Sequence, residues 1–380
     1  MEGDSNRTVI SFVLIPYKDN FSHWQEEKMK KRTYPVFAVI FSFVLCCTMP
    51  ACDDAGGDTD GEDKNTGNGE NGDSDAGAGS DSDTDTDTDS DTDTDTDTDS
   101  DAGMGIATCE TLQEGMNSGF MVDGEARSFV LNLPQEVETG GPWAVIFNWH
   151  GLGDNATNFS GFVSIFADNE DMPFIGVTPE DTDHVLMAVP LDWDVFKVDE
   201  NNKEARLFDE VLECLDQKWG VDFDHVHTMG FSLGSVVSDM LGTVRGEMLA
   251  SIATYSGGYW CNEENLLPLM GTVIKWPVYS TENAYAQLFF HGGETDTFGI
   301  MNIGLKFNEY AVNDSAFLKE RGHDTIICNH DLGHTVPADM STDKVLEFFA
   351  AHPLGTEVSP WRSSGLPGDY AGYCSFKAGD

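Results

Sequence analysis

Basic residues are scarce in this 380-residue chain: 20 Lys and Arg face 67 Asp and Glu, for a formal charge of −47 at pH 7. A surface of that sign repels phosphate backbones and anionic headgroups, which argues against nucleic acid or an anionic membrane surface as partner. Large apolar side chains are missing from Cys52 to Asp101, where 20 Asp and Glu stand against Lys64 alone. Such a stretch cannot bury enough surface to offset the entropy of ordering, so residues 53–104 are expected to be a disordered acidic linker. Its tract "DSDTDTDTDSDTDTDTDTDSD" lacks the glycine and the bidentate glutamate of a calcium loop. Mutually repelling carboxylates make it an extended tether instead.

A run long enough to span a bilayer comfortably is also lacking. The apolar stretch from Val36 to Cys47 is too short for that, but it follows the basic cluster "KMKKR" and precedes small residues. Residues 1–52 therefore read as a secretory signal peptide, with Met29 as an alternative start because the residues before Lys28 are ordinary polar sequence. The ending "MPAC" resembles a bacterial lipobox, which implies acylation of Cys52 and contact with a membrane only through that lipid. Cleavage nearby and free secretion is the alternative.

From about residue 105 the texture changes to short apolar runs separated by helical stretches. Segments 143–151, 173–179, 184–190, 225–232, 249–258, 286–293 and 324–330 read as strands, most of them fully buried. Between Glu204 and Trp219, Leu207, Phe208, Val211, Leu212, Leu215 and Trp219 recur at three and four, the period of a helix with one face on a core. Strands alternating with helices predict an α/β domain over 105–380, a mostly parallel sheet of about eight strands with helices on both faces. Five cysteines lie in it: Cys109, Cys214, Cys261, Cys328 and Cys374. An odd number leaves one unpaired. The expectation is Cys109 with Cys374, Cys261 with Cys328, and Cys214 free on its helix. None of their spacings makes a metal site.

"HTMGFSLGSVV" (227–237) holds Ser232 between Gly230 and Gly234, after a predicted strand and before the amphipathic "LGSVVSDMLG". Strand, sharp turn and helix form the context in which G-x-S-x-G acts as a nucleophile elbow; alone, the pattern is short and occurs by chance. A serine hydroxyl also needs a base, usually a histidine held by a carboxylate. "CNHDLGHTVP" offers His330 and His334, and His334 is the better placed, past the strand end between Gly333 and Pro337. His330 reads as strand or as a residue behind the site. "FFHGGETDTFG" places Asp296 just after another strand, with Glu294 as fallback. Asp296 alone would be a turn-capping aspartate and His334 alone a loop histidine. Three residues in this order, each at the C-terminal end of a predicted strand, form a pattern that chance seldom produces.

An oxyanion hole needs two backbone N–H groups. Leu233, directly after the serine, and Leu152 in "NWHGLGDN" are the candidates, with His150 read as structural. Trp193, Phe196, Tyr259 and Trp260 lie near the predicted strand ends and are candidates for lining a pocket, with loop packing as the plainer expectation.

Over most of 125–350 the chain resembles the alpha/beta-hydrolases. "HGLGDN", "GFSLG", "HGGETD" and "GHTVP", in this order, are similar to secreted bacterial esterases of the polyhydroxybutyrate depolymerase and feruloyl esterase group. "HGLGD" and "GFS" also resemble carboxylesterases of the acyl-protein thioesterase type. Both resemblances imply serine-based ester hydrolysis without a cofactor, on an ester substrate that the tether places outside the cell. The families carry H-G-x-x-D, whereas here the aspartate comes one residue later, which keeps Glu294 open as the acid. An amidase or peptidase on the same residues, and a non-catalytic surface binding module, stay open as alternatives.

Overall fold

The buried apolar runs become neighbours in one sheet. In a computed structural model, described for residues 106–380 apart from 165–166, 183, 187–188, 259–265, 270–271, 276–282, 301–302 and 341, nine strands form it. They are β1 (Gly115–Val122), β2 (Glu125–Asn132), β3 (Trp143–Trp149), β4 (Phe174–Pro179), β5 (Val221–Phe231), β6 (Ser251–Tyr255), β7 (Ala286–His291), β8 (Thr325–Asn329) and β9 (Cys374–Lys377). Their spatial order is β1-β2-β4-β3-β5-β6-β7-β8-β9. The six strands from β4 to β8 in that order run parallel. The edges are antiparallel: β1 with β2, β2 with β4, and β8 with β9. Four longer helices connect these strands, α1 (Lys203–Trp219), α2 (Leu233–Arg245), α3 (Phe307–Lys319) and α4 (Thr342–Ala351).

Strand β3 shows why both faces need covering. All seven of its residues are buried, and they alternate between two cores. Val145, Phe147 and Trp149 join Leu207, Phe208, Val211 and Leu215 of α1 and Val237 and Leu241 of α2. Ala144 and Ile146 join the other core, with Val345, Leu346, Phe348 and Phe349 of α4. The apolar stripe read in the sequence thus seats α1 on the sheet. Its start is capped by Asn202, whose side-chain oxygen accepts from the N–H groups of Glu204 at 2.8 Å and Ala205 at 3.1 Å. Glu204 itself is buried and takes Arg127 of β2 at 2.6 Å, a charged tie between sheet edge and helix.

Several expectations need correction. The sheet has nine strands: the β1–β2 hairpin and β9 escaped the periodicity reading. Segment 184–190 is not a sheet strand; His184–Leu186 and Val189–Leu191 pair as a separate antiparallel hairpin. Among the described residues, the disulfides are Cys109–Cys214 and Cys328–Cys374. Cys214 is therefore not free, because the turn Cys109–Thr111 packs on α1. Cys374 does not reach Cys109, because β9 aligns it directly opposite Cys328. Trp193 follows the plainer expectation of packing: it is fully buried, edge-on to Trp149 at 5.2 Å, and its indole N–H donates to the carbonyl of His150 at 3.0 Å. Phe196 packs half-buried against the same core. The signal peptide with Cys52, the whole acidic linker, Cys261, Tyr259 and Trp260 lie outside the described residues. Among the described residues, no helix is long and apolar enough to cross a membrane.

Candidate active site

The parallel strands all point their C-terminal ends the same way, so the loops that follow them gather at one end of the sheet. Ser232 stands between the end of β5 and the start of α2, with φ 55° and ψ −119°. A positive φ at a non-glycine residue costs about 1–3 kcal/mol and persists only where the surroundings enforce it. Here the enforcement is steric. A Cβ at Gly230 would strike the backbone of Gly234, and one at Gly234 would strike the carbonyl of Trp149 on β3. The two glycines let helix and strands close around the turn, and the Ser232 N–H is fixed to the carbonyl of Tyr255 at 2.8 Å.

His334 comes from the loop after β8. Its Nε2 lies 2.9 Å from the Ser232 hydroxyl and its Nδ1 lies 2.8 Å from a carboxylate oxygen of Asp296. A carboxylate only accepts, so Nδ1 carries the ring proton and Nε2 is left to accept from the serine. Asp296, fully buried in the turn after β7, takes its second oxygen to the Gly292 N–H at 2.9 Å. Glu294 is exposed in the same turn, and the imidazole is held by Asp296. The two loops are pressed together: Gly333 donates to the Gly292 carbonyl at 3.0 Å, and a Cβ at Gly292 would collide with Gly333. The extra residue in "HGGETD" is accommodated by a 3-10 turn over Gly293–Thr295 that still delivers the aspartate to the histidine.

Aromatic rings hold the imidazole in place. Phe307 stacks on it at 4.7 Å and 21° and Phe231 lies at 4.9 Å, while Phe298 stands farther off, at 6.1 Å, beside the ring without bracing it. Sequence reasoning missed all three, although Phe231 is the residue before Ser232 in the motif itself. Ser232 is 7% exposed and the His334 side chain 18%, so the pair is reachable from solvent while Asp296 is not.

The loop after β3 passes directly against the serine: a Cβ at Gly151 would sit 3.4 Å from Ser232 Cβ. Leu152 follows in that loop. It is anchored through the Gly153 N–H donating to Asp192 and the Asp154 N–H donating to the Gly151 carbonyl at 3.1 Å. The His150 ring is fully buried, 4.6 Å from Trp193, with Nδ1 2.9 Å from the Gly151 carbonyl. At Ser232 the helix α2 begins with Leu233, whose N–H is among the first-turn groups that have no intrahelical acceptor. His330 lies beside the site without entering it, its Nδ1 accepting from the Leu332 N–H at 3.2 Å. Burial lowers its pKa, as it does that of His291.

No protein-family model matches the chain. Feruloyl esterase D of Neurospora crassa is 25% identical over 154 residues, 39% of this chain and 51% of that protein. A probable feruloyl esterase C of Aspergillus terreus is 20% identical over 132 residues, 35% of this chain and 47% of that one. The chain spans about half the length of these curated relatives. Among solved structures, native pOPH superposes with a TM-score of 0.56 at 18% identity over 73% of this chain and 96% of its own. Native sOPH does so at 0.56 and 17%, over 71% and 95%. The shared feature is architecture: the chain has the alpha/beta-hydrolase fold, and it is similar to esterases.

Proposed function

We propose that the protein is a serine ester hydrolase that works through an acyl-enzyme on Ser232. The observation that carries this is the unbroken relay from Ser232 Oγ through His334 to buried Asp296, at 2.9 and 2.8 Å, on a strained turn at the C-terminal end of the sheet. His334 Nε2 takes the hydroxyl proton as Ser232 Oγ attacks the ester carbonyl carbon. The tetrahedral oxyanion sits against the N–H groups of Leu233 and Leu152, where the start of α2 adds its positive dipole end. Collapse breaks the carbon–oxygen bond to the alcohol, which leaves with the proton from Nε2. Water then gives a proton to Nε2 and attacks the acyl carbon, and release of the acid returns the proton to Ser232. Asp296 keeps the imidazole in the working tautomer and balances the imidazolium.

Export and a lipid anchor at Cys52 belong to the same reading, supported by the sequence order of basic cluster, apolar run and "MPAC". An anchored catalytic domain on a charged tether is suited to large external material such as plant-wall esters or polyesters. A diacyl group on Cys52 is the expected mass-spectrometric result for the mature protein; an unmodified new N-terminus would dismiss the anchor.

The function is tested by hydrolysis of p-nitrophenyl esters from acetate to palmitate by the wild type and Ser232→Ala. Turnover that disappears in the variant supports the reading, and the chain-length profile assigns the acyl preference. Activity surviving in Ser232→Ala, or no turnover of any ester, would contradict it.

A further inference from the structure

Of the three phenylalanines around His334, two are used up in holding it. Phe231 and Phe307 are buried. Phe298 alone of the three is half-buried rather than buried. It is carried by an antiparallel hairpin, Thr297–Ile300 with Ile303–Lys306, that leaves the main sheet immediately after Asp296. The hairpin returns to Phe307, whose N–H donates to the Asp296 carbonyl at 3.0 Å. Its base is thus bolted to the residue that holds the imidazole.

Exposure alternates along it. Thr297, Gly299, Gly304 and Lys306 are exposed, whereas Phe298 and Leu305, which face each other across the pair, are half-buried. Cross-strand partners share a face of a ribbon, so Phe298 and Leu305 form one apolar surface, and the Phe298 ring places that surface next to His334. Leu332, 61% exposed two residues ahead of His334, adds apolar area on the loop that touches the Asp296 turn.

Proton bookkeeping fixes which part of a substrate lies there. The carbonyl oxygen must point to Leu233 and Leu152, and the departing alcohol oxygen must receive its proton from His334 Nε2. A ring beside His334 therefore meets the alcohol side of the ester. Resting on the esterase reading above, we propose that Phe298 is the specificity-determining wall of a leaving-group subsite that takes alcohols with an extended apolar face: an aryl ring, or the hydrogen-bearing face of a sugar ring.

The test uses the full chain and reads kcat/KM of Phe298→Ala relative to wild type on two ester series. One series varies the alcohol on a constant acetyl group (ethyl, cyclohexyl, phenyl and 2-naphthyl acetate); the other varies the acyl group on constant ethanol. Taking the variant-to-wild-type ratio for each ester cancels intrinsic leaving-group reactivity. Phe298→Ala is expected to lose about tenfold on the ring alcohols, mainly through KM, since stacking on one aromatic face and a filled apolar pocket are of that order. Ethyl esters of every acyl group should be unaffected, and Phe298→Trp should retain the ring preference. An equal loss on all esters, or a loss that follows the acyl group, overturns the proposal while leaving the esterase reading intact. Wild type that hydrolyses none of the esters overturns both. Phe298→Leu, which keeps the apolar volume without the ring, serves if the alanine variant melts at a lower temperature.

Discussion

Among the described residues, a serine hydroxyl meets a histidine Nε2 with an aspartate close by in two places, and the two differ in where the aspartate points. At Ser232 the Oγ–Nε2 distance is 2.9 Å; at Ser359, with His352, it is 2.6 Å. The tautomer is the same in both, since each Nδ1 donates to an oxygen. At His334 that oxygen belongs to Asp296, and at His352 it is the carbonyl of Phe348 at 2.7 Å. Asp324, the acid of the second cluster, does not touch the imidazole. It accepts from the Ser359 N–H, the Gly379 N–H and Arg362 instead. The Ser359 hydroxyl also accepts from the Trp361 N–H at 3.1 Å, and both Ser359 and His352 are buried. The same residue types therefore latch the end of α4 to the C-terminal segment in one place and, in the other, line up acid, imidazole and hydroxyl within reach of solvent. Orientation of the acid, and access to the hydroxyl, separate the two.

Substitution at the serines should give the widest separation. Ser232→Ala is expected to abolish ester turnover, a loss on the order of 10^4-fold or more in kcat, with melting unchanged. Ser359→Ala should leave turnover intact and cost about 1–3 kcal/mol of stability, because the partners of its hydroxyl lose their bonds in the interior. The two variants need only an ester assay and a melting curve. Activity tracking Ser359 would reverse the assignment.

The acids come next. Asp296→Asn keeps the shape but replaces the carboxylate, so kcat should fall by about 10^4-fold. Asp324→Asn should act on stability instead, about 1–3 kcal/mol, since it weakens three sets of hydrogen bonds that bind the C-terminal segment. Denaturant unfolding of both variants beside their kinetics checks the split.

The last comparison is titration of the closed cluster. Burial pushes the pKa of His352 down to about 4, and that of His323 likewise. Burial also holds His227 well below its usual range. The unfolded chain binds a proton on each near pH 6.5, which the folded protein resists until about pH 4. Stability is therefore lost as pH falls through that window, by up to roughly 3 kcal/mol for a histidine of this kind. Buried Asp239 works the other way: its pKa is raised by burial to about 7, so its contribution is lost as pH rises toward that value. The buried histidines held below their usual range, His227, His291, His323, His330 and His352, outnumber that acid, so the net is a loss on acidification. His352→Gln should flatten the pH dependence of unfolding between pH 6.5 and 4. An unchanged slope would mean that the cluster does not titrate as a buried one.

Much of the Ser232 cluster was legible because its geometry is local. The glycines around Ser232 are needed within four residues of it, and the buried runs of β3, β4, β6 and β7 carry no polar interruption strong enough to hide them. The order Ser232, Asp296, His334 then follows from which strand each loop succeeds. The latch at Ser359 was invisible, since its members have no spacing motif and meet only through packing of α4 on the C-terminal segment. The β1–β2 hairpin was hidden for a related reason. Met116 and Met121 are exposed on β1, and buried Arg127 on β2 is paired with Glu204 from a helix 77 residues away. Disulfide pairing failed because the register of β9 against β8, which aligns Cys374 with Cys328, is set by tertiary structure.

The measurement that tests the account most directly is peptide mass mapping after the wild type is treated with a fluorophosphonate, which traps a serine oxygen activated by an adjacent base. A single adduct on the peptide containing Ser232, rising in step with loss of ester hydrolysis and absent from Asp296→Asn on the same timescale, is the predicted result. An adduct on Ser359, or full inhibition with Ser232 unmodified, would contradict the claim that the acid's orientation and the hydroxyl's access make one of these two serines a nucleophile.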